Sequence, residues 1–396
     1  MNKLLVLTSS FPKNNNDYDG SFVKQLSSRL CKDFDVHVLT PYTSDSLSYE
    51  KMGPLKVHRY KYWCGKDLLG EGEIMANLKR NKLFYLQIVP FFLFQLLAIR
   101  EIVKKNSVRI IHAHWLIPQA FLAVIYKKLF NKKIKIIATI HGGDINNFKA
   151  LLGGRVLKFI LKNIDDLTVV SHAIKKDVLN LGYKKEIYVY PMGVDTNLFS
   201  PDRKNIAIKK KLDVEAIFIL FVGGVIHRKG IHHLINAMPE IVNHHKDAKL
   251  VVVGDGSLMP EMKELVKKLR LLNNVIFTGK IPNEALPEYF ATCDVFVLPS
   301  NSEGFGLVYA EAMSCGAVAL GADLPPVHDI IKDKETGFFL QENTPICISK
   351  NICSILNNLE QFGGLKTKAR NHIVNNFDWD IVANNYSKLL SKTLYV

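Results

Sequence analysis

Short apolar runs alternate with helical stretches along the whole chain. In the first half these runs are KLLVLTS, DVHVLTP, VRIIHAHW, KIIATIHG, DDLTVVSH and EIYVYPMG; in the second they are IFILFVGG, AKLVVVGDG, NVIFTGK and DVFVLPS. Most are apolar at successive positions, not at every second one, as expected of parallel strands covered by helices on both faces. Two successive βαβα series predict an α/β chain of two Rossmann-like, doubly wound domains. A length of 396 residues is too long for one core and suits two. The join is expected around 195–206, where GVDTNLFSPDRKN supplies Pro, Asn and Asp.

In such sheets ligands sit at the carboxyl ends of the strands. The unusual residues fall there: GSF (20–22), HAHW (112–115) and HGGD (141–144) in the first half, GGVIHRKG (223–230), GDGS (254–257) and NSEGFG (301–306) in the second. Polar, glycine-rich strand ends on both halves predict a cleft between two domains.

One segment departs from the alternation. Leu83–Ile99, LFYLQIVPFFLFQLLAI, is uncharged and flanked by Lys79, Arg80, Lys82 and Arg100. Pro90 and two glutamines argue against a bilayer span, leaving a buried helix of the first domain or an interfacial helix with basic flanks. The opening MNKLLVLTSSFP has too short an apolar run for an export signal and reads as a first buried strand. Cys31, Cys64, Cys293, Cys315, Cys347 and Cys353 show neither C-x-x-C nor zinc spacing, so reduced thiols and a cytoplasmic location are expected.

Charge adds a second asymmetry. The net +15 is concentrated in residues 1–200, which hold 30 Lys and Arg against 16 Asp and Glu; the remainder holds 22 against 21. A basic half suits an anionic membrane surface or, equally, a lysine-rich solubility surface. Nucleic acid is not expected as a partner, because no recognised binding motif accompanies the charge.

Several chemistries lose their support. GDGSLM lacks the third glycine of a dinucleotide fingerprint, and there is no Walker loop and no G-x-S-x-G elbow. What remains suits a diphosphate and a sugar. FVGGVIHRKG leads from a strand through glycines to Arg228, Lys229 and a helix N-terminus, where open amides and cations favour phosphate. Glu303 and Glu311 flank the turn at Gly306, so they could meet hydroxyl groups at opposite ends of one ligand. The amides of Gly306, Leu307 and Val308 would lie between them for phosphate oxygens. For Glu311 a favourable helix dipole alone is the plainer explanation. In the first half, His141 and Asp144 surround a Gly-Gly turn, and His112 and His114 point to one side of their strand; no third ligand at metal spacing accompanies them.

EGFGLVYAEAMSCG resembles the E-x7-E element of family 4 of the retaining glycosyltransferases, which have the GT-B fold. The motifs TSSFP…DGSFVKQLSSRL, HAHWLIP, HGGDIN, VVSHAIKKDV, YPMGVDTNLFSP, FVGGVIHRKG, VVVGDGSLMPEMK, LPSNSEGFGLV and ETGFFL follow in the family's order over nearly the whole chain. The resemblance implies an acceptor-side domain over 1–198, a nucleotide-sugar domain over 199–379, and a C-terminal segment, 380–396, crossing back onto the first. It implies a retaining transfer from a UDP- or GDP-linked sugar to a glycan or lipid-linked acceptor in surface polysaccharide synthesis. The setting would be the inner face of the cytoplasmic membrane, with no cofactor and no metal.

Carried onto this chain, Lys229 would bind the donor diphosphate with the Gly306, Leu307 and Val308 amides, Glu311 the ribose hydroxyls and Glu303 the transferred sugar. Gly20 would let the first-domain loop approach the diphosphate, Gly223 would fall among the donor-binding residues, and His141 would sit near the sugar and reaction centre. His114 and Asp144 fall on the acceptor side. Two departures stand out: Gly224 occupies a position where the family often has arginine, leaving Arg228 to substitute, and Pro325, Pro326 and Asp329 replace the usual Gly-Gly and Glu. A sugar-nucleotide epimerase on the same fold and a non-catalytic membrane scaffold are the alternatives.

Overall fold

The structure, a computed structural model, describes residues 1–14, 17, 20–43, 46–63, 82–142, 154–214 and 217–395. It forms two compact units: Met1–Met192 with Val382–Val396, and Gly193–Ile381. The first crossing thus lies just ahead of GVDTNLFSP, before residue 198, and the second lies between 381 and 382.

The first unit is built on one sheet of eight strands: β1 (Asn2–Leu7), β2 (Phe34–Pro41), β3 (Tyr49–Met52), β4 (Leu55–Tyr60), β5 (Ile110–His114), β6 (Lys135–Ile140), β7 (Asp166–Val169) and β8 (Ile187–Val189). Their order is β3-β4-β2-β1-β5-β6-β7-β8, parallel except for the β3–β4 pair. Leu4, Leu5, Val6 and Leu7 of the central β1 are wholly buried, which explains their unbroken apolar run. Strands β3 and β4 were not expected. The run LKVHRY alternates apolar and polar residues over its first four positions, buried and half-buried in turn, so it carries no continuous apolar signal although β4 is paired on both sides.

Helices α1 (Ser21–Leu30), α2 (Tyr85–Asn106), α3 (Phe121–Leu129), α4 (Arg155–Asn163) and α5 (His172–Asn180) accompany this sheet. Helix α2 carries apolar residues on both its buried and its exposed sides: Phe91, Ile99, Ile102 and Val103 face inward. Gln87 and Gln95 are buried, and Gln95 Oε1 accepts from Tyr60 Oη at 3.2 Å, whereas Leu86, Val89, Leu93 and Leu97 face outward. Only 33% of its most apolar 18 residues are buried, so α2 is not the core helix that one expectation required.

The second unit holds β9 (Ile217–Val222), β10 (Ala248–Val253), β11 (Val275–Gly279), β12 (Val295–Leu298), β13 (Val318–Ala322) and β14 (Phe338–Leu340), all parallel, in the order β11-β10-β9-β12-β13-β14. Strands β13 and β14 were also missed; VALGA is small and FFL spans three residues. The helices are α6 (Ile206–Lys211), α7 (Ile231–His244), α8 (Met259–Lys268), α9 (Leu286–Thr292), α10 (Leu307–Ser314), α11 (Pro345–Leu356), α12 (Gly363–Phe377) and α13 (Trp379–Tyr395). Within this unit Trp379 packs on Gly193, where a Cβ would come within 2.6 Å of the indole. From Val382 onward α13 belongs to the first unit: Tyr386 Oη donates to Tyr190 O at 3.1 Å and Thr393 Oγ1 to Asp166 Oδ2 at 2.6 Å.

Strand order reverses between β1 and β5 in one sheet and between β9 and β12 in the other. These switch points are where doubly wound sheets open a crevice at their carboxyl ends.

Candidate functional site

In the second unit, β9 ends at Val222 and the chain passes through Gly223 and Gly224 into a tight turn, His227–Lys229. Gly230 then caps α7 with φ 68°, and a Cβ there would lie 1.9 Å from Pro299 O. Only glycine fits, and the turn after β9 is thereby pressed against the end of β12. The Asn301 amide donates to Arg228 O at 2.8 Å, closing the same junction.

This junction brings Lys229 onto Glu303. Lys229 Nζ lies 2.6 Å from Glu303 Oε1, with the side chains 15% and 7% exposed, and Ser300 Oγ donates to the same oxygen at 2.6 Å. Asn343 braces the loop through Ser300 O and Asn301 Oδ1. Arg228 projects outward, exposed.

Gly306, at φ 96°, opens α10 over the ring of Tyr309, whose buried hydroxyl donates to Leu298 O at 2.6 Å. Tyr309 thus ties the helix N-terminus to the end of β12. The first amides of α10, around Gly306, Leu307 and Val308, have no intrahelical acceptor. Glu311 lies one turn further on. It is half-buried, its carboxyl has no hydrogen bond or ion pair among the described residues, and burial pushes that carboxyl up to about 7. A half-buried acid without a partner beside open amides is suited to a ligand's hydroxyl groups.

In the first unit, Gly20 caps α1 with φ 67°, and a Cβ there would meet Ser10 O at 2.3 Å. The loop after β1 therefore lies flat against the start of α1. Next to β1 in the sheet, β5 carries His112 and His114 on one side, their rings 4.4 Å apart. His112 Nε2 bonds Thr139 Oγ1 at 2.7 Å, and Thr139 Oγ1 meets Thr168 Oγ1 at 2.6 Å. His114 Nδ1 lies 3.0 Å from Nε2 of His141, the residue that follows β6. Trp115 and Phe22 pack on the His141 ring at 4.8 and 5.2 Å. Burial holds all three imidazoles neutral, His112 and His141 being pushed down to about 3.

The structure therefore joins Lys229 with Glu303, and His114 with His141. His114 is wholly buried, so its own contact is with His141 and not with solvent. Asp144 lies outside the described residues. Residues that sequence reasoning missed are Ser300, Tyr309 and Asn343 around the glutamates, and Trp115 and Phe22 around His141. Ser300 and Trp115 lie within quoted motifs, LPSNSEGFGLV and HAHW, but nothing in their type announced a role.

The chain matches two family models: "Glycosyltransferase Family 4" over residues 20–198 and "Glycosyl transferases group 1" over 202–375. It is 26% identical over 316 residues to N-acetyl-alpha-D-glucosaminyl L-malate synthase of Bacillus anthracis, covering 78% of this chain and 81% of that one. It is 21% identical over 399 residues to the GDP-mannose-dependent alpha-(1-6)-phosphatidylinositol monomannoside mannosyltransferase of Mycolicibacterium smegmatis, covering 98% of each. Among solved structures, Anabaena HepE in complex with UDP and glucose matches with a TM-score of 0.75 at 16% identity, over 99% of this chain and 100% of that one.

Proposed function

The chain belongs to glycosyltransferase family 4 and has the GT-B fold, and on that premise we propose a retaining transfer from a nucleotide-diphosphate sugar to a glycan or lipid-linked acceptor. The observation that carries this reading is the end of β12, with the Lys229–Glu303 pair, the open amides of α10 and the unpartnered Glu311. UDP in a structural neighbour and GDP-mannose in the name of a relative support a nucleotide-linked donor.

In this reading the second unit holds the donor. Glu311 accepts from the ribose hydroxyls and Glu303 from a hydroxyl of the transferred sugar. Gly223 leaves room for the diphosphate, which meets the Gly306–Val308 amides and Lys229, with Arg228 as the second cation. As the bond from the anomeric carbon to the diphosphate oxygen breaks, negative charge collects on the leaving phosphate, and Lys229 and the amides stabilise it there. The acceptor hydroxyl attacks from the same face and its proton passes to that phosphate oxygen. Positioning supplies the remainder. No metal enters this scheme, because the cation and amides of the chain carry the charge neutralisation.

The first unit serves the acceptor, with His141 as a neutral hydrogen-bonding group at its strand end and Gly20 permitting close approach of the β1 loop. A lipid-linked acceptor at the inner membrane face, and surface polysaccharide as the product, fit the exposed apolar face of α2 and the basic balance of residues 1–200.

A thermal-shift screen of UDP, GDP and ADP, then of sugars on the winning base, tests the donor. Stabilisation by one nucleotide diphosphate in the native chain, lost in Lys229→Ala, is expected. A chain stabilised by none of them, and turning over none of their sugars, overturns the reading.

A further inference from the structure

One patch of the first unit takes no part in the chemistry above. Positions 86, 89, 93, 97, 100 and 104 recur at helical spacing and share one face of α2, along about 27 Å of its length. The first four are Leu86, Val89, Leu93 and Leu97, all exposed, Val89 at 72%. The last two are Arg100 and Lys104, also exposed. The outward face of one helix is thus apolar for three turns and cationic for the next.

The cationic end leads into a depression. Ser107, at φ 54°, ends α2 and turns the chain toward Arg109, just ahead of β5. Arg100, Lys104 and Arg109 line a cavity of about 490 Å³ together with Tyr126, Phe130 and Asn131 from the end of α3 and the turn after it. The Arg100 guanidinium lies over the Phe130 ring at 5.1 Å, which holds it without neutralising it. Among the described residues none of the three cations has a carboxylate partner, and Glu101 is not among the lining residues.

Three unneutralised cations around an aromatic wall suit a phosphate group, and arginine suits it best because its fork is planar. A soluble phosphate or nucleotide would leave the stripe from Leu86 to Leu97 in water. A second copy of this chain would bring the same positive charge against the pocket. A phospholipid satisfies both parts, with its acyl chains along the stripe and its phosphate between the cations. Because Arg109 precedes β5 and His114 closes it, the pocket lies at the amino end of β5, opposite the end where His114 meets His141. That position suits a tether and not the acceptor site.

We propose that the pocket formed by Arg100, Lys104, Arg109 and Phe130 binds the phosphate headgroup of an anionic membrane phospholipid, with the exposed stripe of α2 lying in the acyl region. The inference rests on the membrane part of the function proposed above and not on its sugar chemistry.

The test is cosedimentation of the full chain with vesicles of phosphatidylcholine alone or mixed with phosphatidylglycerol. Native protein is expected to bind the mixed vesicles at least tenfold more tightly. R100Q/K104Q/R109Q should lose most of that difference. The charge-matched control K32Q/K176Q/K184Q, at three exposed lysines elsewhere in the unit, should keep it. The proposal fails if the control loses as much as the pocket variant, if the pocket variant loses nothing, or if native protein binds both vesicles equally or neither. Inorganic phosphate that displaces the protein from vesicles at low millimolar concentration, at constant ionic strength, would make the site one for free phosphate and also overturns it. Melting curves and nucleotide stabilisation run alongside. If the triple variant melts early, R109Q alone carries the test. A native chain stabilised by nucleotide yet indifferent to lipid separates failure of the tether from failure of the transferase reading.

Discussion

Lys229 Nζ and Glu303 Oε1 stand 2.6 Å apart, so the group assigned to the diphosphate and the group assigned to the sugar are each other's partner. Each holds the other in place and ready, and a donor has to share the pair. Lys229→Ala leaves Glu303 nearly buried with only Ser300 to answer it, whereas Glu303→Gln keeps a group that can still accept from Ser300. Lys229→Ala is therefore expected to lower stability by about 1–3 kcal/mol, less than a fully buried pair would lose, and turnover by about 10²–10³-fold. Glu303→Gln should cost turnover with little loss of stability. Urea melts and initial rates with the identified donor check both. Equal loss of stability in the two variants would assign the pair a purely structural role.

Glu311 gives a pH signature. Its folded carboxyl sits at about 7, above the ordinary 4.5, because burial disfavours its charge. With the folded value raised, its contribution to stability is present below about 4.5 and is lost as pH rises through about 7. Glu311→Gln should thus melt with the native chain near pH 5 and several degrees above it at pH 8, for a difference on the order of 1–2 kcal/mol. Donor affinity should move the other way, rising from pH 6 to pH 8 in the native chain as the carboxylate forms, and staying flat in Glu311→Gln. Titration of the nucleotide at several pH values reads it, and a native profile as flat as the variant's would remove Glu311 from the ribose.

Much of this was legible beforehand because it is local. The strand IFILFVGG, the turn HRKG and the glycines of EGFG announce themselves in sequence, and the structure places them side by side. What stayed hidden depends on neighbours distant in the chain. LKVHRY is a strand because β2 and β3 flank it, and its alternation looked like ordinary surface. Tyr309 looks like any apolar helix residue until Leu298 O meets its hydroxyl. Helix α2 was the least legible, since its glutamines, which argued against a bilayer span, point inward, while Leu86, Leu93 and Leu97 face outward.

The His114–His141 hydrogen bond fixes a tautomer. Nε2 of His114 is buried without an acceptor, and an orphaned N–H costs more than an orphaned lone pair. The proton therefore sits on His114 Nδ1, which donates to His141 Nε2 and leaves the His141 proton on Nδ1. His114→Asn, whose amide can replace the Nδ1 donor, should keep most activity; His114→Leu should lose about tenfold or more. Nitrogen-15 spectra of the ring report the tautomer directly. Finding His141 protonated at Nε2 in the native chain sinks this assignment, whatever the rates do.

The same buried imidazoles make the first unit sensitive to acid. His112 and His114 are neutral when folded and take up a proton at their ordinary value of about 6.5 when unfolded. Their folded values are depressed, so the stability they contribute is present above about 6.5 and is lost as pH falls below it. At pH 5 each weakens the fold by about 2 kcal/mol relative to pH 7.5. His112→Asn should flatten this slope, and urea midpoints followed from pH 7.5 to 5 would show it. A slope unchanged by that substitution would place the acid sensitivity in other groups.

Gly224 offers a gain of function. Its backbone is in an ordinary conformation, and a Cβ there would find its nearest neighbours, Ile226 side-chain atoms, at 3.8 Å. Gly230, six residues on, is the opposite case, since any Cβ collides with Pro299 O. Gly224→Arg should therefore fold as the native chain does and add a third cation, beside Arg228 and Lys229, to this turn. An added charge-assisted hydrogen bond of about 1 kcal/mol would tighten nucleotide-diphosphate binding several-fold, and the gain should shrink with salt. Gly230→Ala should instead destabilise the second unit and weaken donor binding with it. Calorimetric titration of both variants with the nucleotide separates them. If Gly224→Arg leaves affinity unchanged while folding normally, the diphosphate does not pass beside this turn, and Lys229 would have to be reassigned from the leaving group to the support of Glu303.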